Sequence, residues 1–204
     1  RLARWTQHDY QALAKQRSRA QVVTIPYSHF CELGNWAMQA CRVPCEEHGF
    51  APGAHILPVL ALRLGGGAKH LSASSAVRQV KPVEAQQQPA ATSSSSSRAN
   101  PTAVPVCALP DGRVLVDSWA LVSHAAEAGG LAPVPEPLRT VLDTELGPRA
   151  RQLAYFHLFK PEHWDVWSGL CTEGGGALWR CAWALGVGTK LTQRMTHLFR
   201  SDDA

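Results

Sequence analysis

The stretch "QVVTIPYSHFCELGNWAMQA", residues 21–40, decides the fold class because it joins a strand to a helix through a proline turn. Residues 21–26 are rich in β-branched side chains, which is typical of a buried strand. Apolar spacing predicts a helix over 28–41. Its predicted buried face holds Phe30, Trp36, Ala37 and Ala40, with Cys31 and Met38 adding to it. A strand that leads directly into a helix indicates an α/β domain.

Between residues 43 and 100 the sequence changes from structured to low-complexity. A short strand is predicted over 43–48 and a short apolar element over 57–64. By contrast, "KPVEAQQQPAATSSSSSRANP", residues 81–101, is nearly free of large apolar side chains. Such a segment cannot bury enough surface to offset the entropy lost on ordering. We therefore expect a disordered insertion at about 66–100.

A hairpin and a helix close the first half. The stretches "AVPVCAL", residues 103–109, and "RVLVDS", residues 113–118, are predicted strands separated by the tight turn "PDG". A helix over 118–128 follows, with Asp117 or Ser118 as its N-cap. Because a hairpin closes this half, its sheet is mixed and not all-parallel.

The second half is predicted to be helical throughout. The rigid linker "APVPEP" leads into helices over 137–146, 148–160, 161–170 and 175–199, with breaks near Gly169 and Gly186–Gly188. Four tryptophans at helical spacing favour core packing over a cofactor site: Trp164, Trp167, Trp179 and Trp183. The predicted organisation is a basic N-terminal extension (1–21), an α/β domain with the insertion (22–130) and an all-α domain (131–204).

Composition excludes some classes of function. The chain has 204 residues, a formal net charge of +4 and no basic block with interleaved aromatic residues, so nucleic acid is not an expected partner. No apolar run approaches the 18–20 residues or so that a transmembrane helix needs, so we expect a protein that is not transmembrane.

The six cysteines form no CxxC pair and do not resemble a disulfide framework. The nearest approach to a metal-ligand cluster is Cys41, Cys45 and His48, and we expect reduced thiols there and no metal. The compartment is then a reducing one: the cytoplasm, or a mitochondrion or chloroplast after removal of a targeting segment.

Residues 1–21 carry five basic side chains against the single acid Asp9: Arg1, Arg4, Lys15, Arg17 and Arg19. Such termini occur in organelle-targeting peptides. The same residues fit an ordinary exposed helix with Trp5, Leu13 and Tyr10 on its inner face.

Three features could bind a thiol peptide. The start of the helix at Ser28 favours an anion such as a thiolate, and the Ser28 hydroxyl could donate to it. A cis bond before Pro105 would turn the backbone of Val104 toward a ligand. The second helix start, at Asp117 and Ser118, could hold a carboxylate and an ammonium group. Each feature also has a purely structural interpretation: a helix cap, a proline at the start of a strand, and a second cap.

The order and spacing of three stretches resemble glutathione transferases. "SHFCELGNWAM" resembles the family's "SPF-x-x-K-V-R-x-A-L", and "VPVCALPDGRVLVDSWALVSHA" resembles "VPVL-x-x-DG-x-x-L-x-DS-x-A-I". "APGAHILPVLALRLGGG" is similar to an "APGxHxxxVxRxxGG" stretch of transferase-like proteins. The resemblance covers residues 22–65 and 101–130 well and the helical half loosely.

The resemblance implies a thioredoxin-like domain followed by an all-α domain, with glutathione as co-substrate and no metal. Ser28 would activate the thiol, Val104 would pair with the cysteinyl backbone, and Pro105 would be the cis proline. Asp117 and Ser118 would hold the γ-glutamyl end. A second, apolar substrate would lie against the helical half, where the candidates are Tyr155, Phe156 and Phe159.

Departures from the family pattern leave the function open. Leu33 and Asn35 replace basic residues, and the helical half of about 75 residues is short, which leaves open whether further helices follow Ala204. The first hypothesis is an enzyme that conjugates glutathione to a small electrophile. The second is a non-catalytic, transferase-like interaction or scaffold subunit, in a homodimer or a larger, organellar assembly. The third is thiol–disulfide exchange through Cys31.

Overall fold

The computed structural model describes residues 7–64, 70–71, 102–173 and 176–199. Within this part, the chain divides into two compact units. The first unit contains the described residues up to Val134 and those between Cys171 and Arg180, and the second contains Pro135–Leu170 and residues 181–199. The predicted insertion at about 66–100 lies outside the described residues, apart from the strand at 70–71.

The first unit is an α/β domain, as predicted. Its elements are α1 (Gln7–Arg17), β1 (Ala20–Thr24), α2 (His29–Ala40), β2 (Cys45–Gly49), α3 (Ile56–Leu64), β3 (His70–Leu71), β4 (Val106–Ala108), β5 (Val114–Leu115) and α4 (Ser118–Ala128). The sheet order is β2-β1-β4-β5-β3. β1 pairs parallel with β2 and antiparallel with β4, β4 pairs antiparallel with β5, and β3 pairs parallel with β5. The predicted mixed sheet and hairpin are confirmed.

The hairpin strands are shorter than predicted, for two physical reasons. Pro105 has no N–H to donate to the ladder, so β4 begins only at Val106. Asp117 leaves the sheet to cap α4, so β5 ends at Leu115.

Helices cover both faces of the sheet, because successive strand residues point to opposite sides. Val22 of β1 and Cys107 of β4 belong to a core cluster with side chains of α2 and α4. Their neighbours Val23 and Val106 belong to a second cluster with side chains of α1 and α3. Tyr10 of α1 is buried in this second cluster, so α1 is part of the core of the unit.

The predicted buried face of α2 is wrong in part. Trp36 is 65% exposed, and Ala40 is exposed as well. The buried residues are Cys31, Gly34, Asn35 and Met38, which follow the i, i+3, i+4, i+7 pattern of one helix face. The prediction chose the buried face by apolar character. In the structure α2 instead packs against α4 at Gly34, because this residue has no side chain: a Cβ there would lie 2.9 Å from Leu121 Cδ2.

Residues 136–199 are mostly helical. The elements are α5 (Glu136–Val141), a π-helical turn (Leu142–Leu146), α6 (Gly147–Leu158), a 3-10 turn (Pro161–His163), α7 (Trp164–Thr172), α8 (Ala177–Ala182), a second π-helical turn (Trp183–Val187) and α9 (Gly188–Phe199). The predicted break near Gly169 is wrong, since α7 runs through that residue. The break at Gly186 is confirmed by a φ of 105°. Within the described ranges, no helix is long and apolar enough to cross a membrane.

Two tryptophans form the core of the second unit, as predicted for the aromatic-rich half. Trp167 and Trp183 are buried, with ring centroids 6.1 Å apart. Their indole N–H groups donate to Thr192 Oγ1 and Ser168 Oγ, each at 2.7 Å. Both buried indoles therefore have polar partners, as stable burial of this side chain requires.

Candidate functional site

Ser28 lies where α2 begins, in extended backbone. Its N–H donates to the carbonyl of Ile25 at 3.2 Å, and its own carbonyl accepts the N–H of Glu32 at 2.9 Å. The side chain forms no capping hydrogen bond. The hydroxyl instead acts on the nearby Cys31 thiol, whose pKa it lowers. Side-chain capping, one of the two interpretations of this serine, is therefore not what the structure contains.

Cys31 is fully buried on the inner face of α2. Burial raises the pKa of its thiol to about 11, although hydrogen bonds from the Ile25 backbone and from Ser28 act in the opposite direction. The group is therefore a neutral thiol at neutral pH. A thiol in this state is a poor nucleophile, which weakens the hypothesis of thiol–disulfide exchange through Cys31.

The Val104–Pro105 peptide bond is cis, as the resemblance implies. Pro105 is fully buried, and its ring lies against Gly34, where a Cβ would be 3.6 Å from Pro105 Cγ. Val104 packs against the second core cluster but lies outside β4. Within the described part of the chain, its backbone N–H and carbonyl have no hydrogen-bond partner. Val104 therefore offers backbone groups that an extended peptide could pair with.

Asp117 caps α4 in the manner of a standard N-cap residue. Its backbone is extended, and Oδ1 accepts the N–H of Ala120 at 2.7 Å. Ser118, the first residue of α4, is only 5% exposed. The structural interpretation of this pair is therefore correct for the Asp117 side chain. A ligand at this helix start would meet Asp117 and the backbone before it met the Ser118 hydroxyl.

Arg63, at the end of α3, ties these segments together, and the sequence-based predictions missed it. Its Nη2 donates to the carbonyls of Ala103 and Val116, each at 2.9 Å. These carbonyls directly precede Val104 and Asp117. Burial lowers the pKa of the guanidinium, while the Asp117 carboxylate opposes that shift. The sequence feature that could have indicated Arg63 is its position as the single charged residue of the apolar helix "ILPVLALRL", because a charge in an apolar helix is expected to have a polar partner.

The predicted second-substrate residues lie together in the second unit, but they are not equivalent. Tyr155 stacks on Phe159, with ring centroids 5.0 Å apart, and the Lys160 ammonium lies 5.1 Å from the Phe156 ring centroid. Phe159 alone of the three lines an open, shallow groove of about 760 Å³. The groove residues are Phe159, Pro161, Trp164, Thr189, Thr192, Gln193, Thr196 and His197. Trp164, which sequence spacing assigned to the core, is 38% exposed at this groove.

The candidate metal ligands are not assembled. His48 Nε2 lies 2.7 Å from Gln21 Oε1, so this ring nitrogen already has a partner. Among the described residues, no three His, Cys, Asp or Glu side chains are grouped so that they could hold a metal ion. All six cysteines are free thiols.

The geometry thus defines an α/β domain in which the Val104 and Asp117 segments meet at one half-buried arginine, Arg63, together with an aromatic groove in a separate helical unit. Comparisons with protein-family models, with curated proteins and with solved structures return no match for this chain. The function proposed next therefore rests on residues and their geometry.

Proposed function

We propose that this protein is glutathione transferase-like and conjugates the glutathione thiolate to a small electrophile. The observation that carries the proposal is the pair of hydrogen bonds from Arg63, which bring the segments of Val104 and Asp117 side by side. The sheet supports it: a parallel strand pair is followed by an antiparallel hairpin, with helices on both faces. That is the arrangement expected of a thioredoxin-like domain.

Glutathione would bind in extended form along these two segments. Its cysteinyl backbone would pair with the N–H and carbonyl of Val104, which have no partner within the described residues. Its γ-glutamyl carboxylate would lie at the start of α4, where backbone N–H groups and the helix dipole favour an anion. Its ammonium group would be attracted to the Asp117 carboxylate.

Ser28 would stabilise the bound thiolate. Its hydroxyl lowers the pKa of the Cys31 thiol, and it would act on an incoming glutathione sulfur in the same way. A hydroxyl can turn toward that sulfur by rotation, since it both donates and accepts. The catalytic gain would come from stabilisation of the thiolate, which needs no metal.

The groove of the second unit is the proposed site of the electrophile. Phe159 and Trp164 supply aromatic surface, while Thr189, Gln193 and Thr196 supply hydroxyl and amide groups at its sides. Such a lining suits a flat apolar molecule with one or two polar substituents.

A thermal-shift titration with glutathione tests the proposal. Binding stabilises the folded state by RT ln(1 + [L]/Kd), so the melting temperature should rise with glutathione concentration. S-methylglutathione, which keeps the peptide and lacks the free thiol, is the matched ligand and should also produce a shift. Only glutathione should then react with an aryl halide, and Ser28→Ala should lower that rate. The absence of any shift at millimolar glutathione would overturn the proposal.

A non-catalytic interaction subunit is the second candidate function. The helical stretch from α5 to α6 exposes four large apolar side chains, each at least 45% accessible: Leu138, Val141, Leu146 and Leu153. Scattered exposed leucines are ordinary, but four on one continuous helical stretch favour contact with another protein. Light scattering separates the two candidates, because an interaction subunit should show a mass above that of the monomer and no response to glutathione.

A further inference from the structure

We infer that Arg63 is a positioning residue for glutathione binding, which sets the geometry of the site without touching the ligand. This inference rests on the proposed function. It assigns to one side chain of α3 the task of keeping two separate ligand-binding segments in a single arrangement.

The two hydrogen bonds control the groups that a peptide would meet. Arg63 Nη2 holds the carbonyls of Ala103 and Val116 at 2.9 Å each. A peptide unit is planar, so fixing the carbonyl of Ala103 also fixes the N–H of Val104 in the same plane. In a trans unit that N–H points away from the carbonyl, and therefore away from Arg63. The same reasoning fixes the N–H of Asp117 through the carbonyl of Val116.

The base of the arginine is itself held in place. Val59 and Leu62 on the same helix are fully buried in the second core cluster, together with Val106 and Ala108 of β4. Hence α3 has little freedom to move relative to the hairpin. The Asp117 carboxylate also attracts the guanidinium, since its charge opposes the lowering of the Arg63 pKa by burial.

Nη2 of Arg63 makes both hydrogen bonds, and this determines which substitution should preserve glutathione binding. The lysine ammonium has three N–H donors on one nitrogen, so it can donate to both carbonyls, although its side chain is one bond shorter. Methionine has similar bulk and no donor. Arg63→Lys should therefore keep most of the positioning, and Arg63→Met should lose it.

Arg113 offers the matched control. It lies in the same hairpin, and its Nε pairs with the Asp111 carboxylate at 2.6 Å. Arg113→Met removes a cation of the same type without removing a bond to the Ala103 or Val116 carbonyl.

The experiment measures glutathione affinity by calorimetry and amide hydrogen exchange for the full chain and these three variants. We expect Arg63→Met to weaken glutathione binding about tenfold or more, the effect of losing well-placed hydrogen bonds from a charged group. We expect Arg63→Lys to stay within about threefold of the wild type, less than half of that free energy, and Arg113→Met to match the wild type. Exchange should rise in Arg63→Met at residues 102–106 and 115–119 and stay unchanged in the rest of α4.

Equal glutathione affinity in Arg63→Met and the wild type would overturn the inference and leave the proposed function standing. A uniform rise in exchange across the first unit would also overturn it, because Arg63 would then be an ordinary stabilising residue. If the wild type binds no glutathione, the proposed function fails. Local exchange then decides alone whether Arg63 holds the two segments together.

Discussion

The hydroxyl of Ser28 opposes the rise in pKa that burial imposes on the thiol of Cys31, which lies three residues further along the chain in the first turn of α2. The sequence at this helix start has the appearance of a redox pair with one cysteine replaced. In the structure the remaining thiol, that of Cys31, is fully buried, whereas Ser28 is half-buried. The more accessible position is thus the one with a hydroxyl, which suits the binding of a thiol supplied by another molecule.

Cys31 should be the slower of two thiols in alkylation. Burial raises its pKa to about 11, whereas Cys181 is exposed. A rise from the ordinary 9.0 to about 11 lowers the thiolate fraction of Cys31 itself roughly a hundredfold at neutral pH, and burial slows access further. Iodoacetamide labelling followed by peptide mass spectrometry should therefore show the exposed Cys181 reacting much faster than Cys31. Labelling of Cys31 at a rate similar to that of Cys181 would contradict the burial described for α2.

Replacing Gly34 with alanine should destabilise the first unit. The new Cβ would lie 2.9 Å from Leu121 Cδ2 and 3.3 Å from Leu121 Cβ, and Leu121 is fully buried. Overpacking of this kind costs about 1–3 kcal/mol of unfolding free energy. Urea denaturation measures it.

Gly169→Ala is the control for that substitution. Gly169 lies within α7, and a Cβ added there would meet no atom within 4 Å, so alanine should stabilise by about 0.5–1 kcal/mol through helix propensity alone. Equal effects of the two substitutions would show that α2 and α4 are not in close contact at Gly34.

Local sequence signals predicted much of the first unit. The β-branched run around Val22 and Val23 indicates β1, and Asp117 followed by apolar residues indicates the start of α4. These local patterns do not indicate which face of a helix packs against a neighbouring element. Trp36 is apolar and exposed, while Gly34 has no side chain and is buried, because close approach of two helices depends on the partner as much as on the sequence of one.

The separate segments of the candidate site were predictable from the sequence, but the hydrogen bonds that join them through Arg63 were not. Ser28, Pro105 and Asp117 each stand beside a recognisable helix or strand boundary. Arg63 lies 40 residues from Ala103 and 53 from Val116 in the chain, so no local pattern links them. In the helical half, the break at Gly186 was predictable from the glycine, but the π-helical turn at 142–146 leaves no signal in apolar spacing, which is why the helix was predicted to end there.

Gly53→Ala should cost more stability than Gly112→Ala. Both glycines have a positive φ, 90° and 86°, so each substitution places alanine in a strained backbone region, at about 1–2 kcal/mol. At Gly112 nothing lies within 4 Å of the new Cβ, but at Gly53 the Trp179 ring lies 2.7 Å away. The difference in unfolding free energy between the two variants measures the clash.

A double-mutant cycle isolates the clash at Gly53. In a Trp179→Ala background the ring is gone, and Gly53→Ala should then cost no more than Gly112→Ala. If the cost in that background is unchanged, the contact between Gly53 and Trp179 contributes nothing to stability, and backbone strain explains the whole effect.

Acid should destabilise the first unit partly through His55. Its Nδ1 accepts the N–H of Gly53 at 3.0 Å, and burial lowers its pKa below the ordinary 6.5. The unfolded chain therefore binds a proton more readily than the folded chain, so the unfolding free energy should fall as pH drops from about 6.5 toward the folded pKa.

His55→Gln keeps an acceptor for Gly53 and removes the titration, which should flatten this fall by at most about 1.4 kcal/mol per pH unit. His124→Gln is the comparison, since burial also lowers the pKa of His124 and its effect should have the same sign. Above about pH 7 all three proteins should run parallel, and a His55→Gln curve as steep as the wild type below pH 6.5 would rule His55 out as a source of the acid sensitivity.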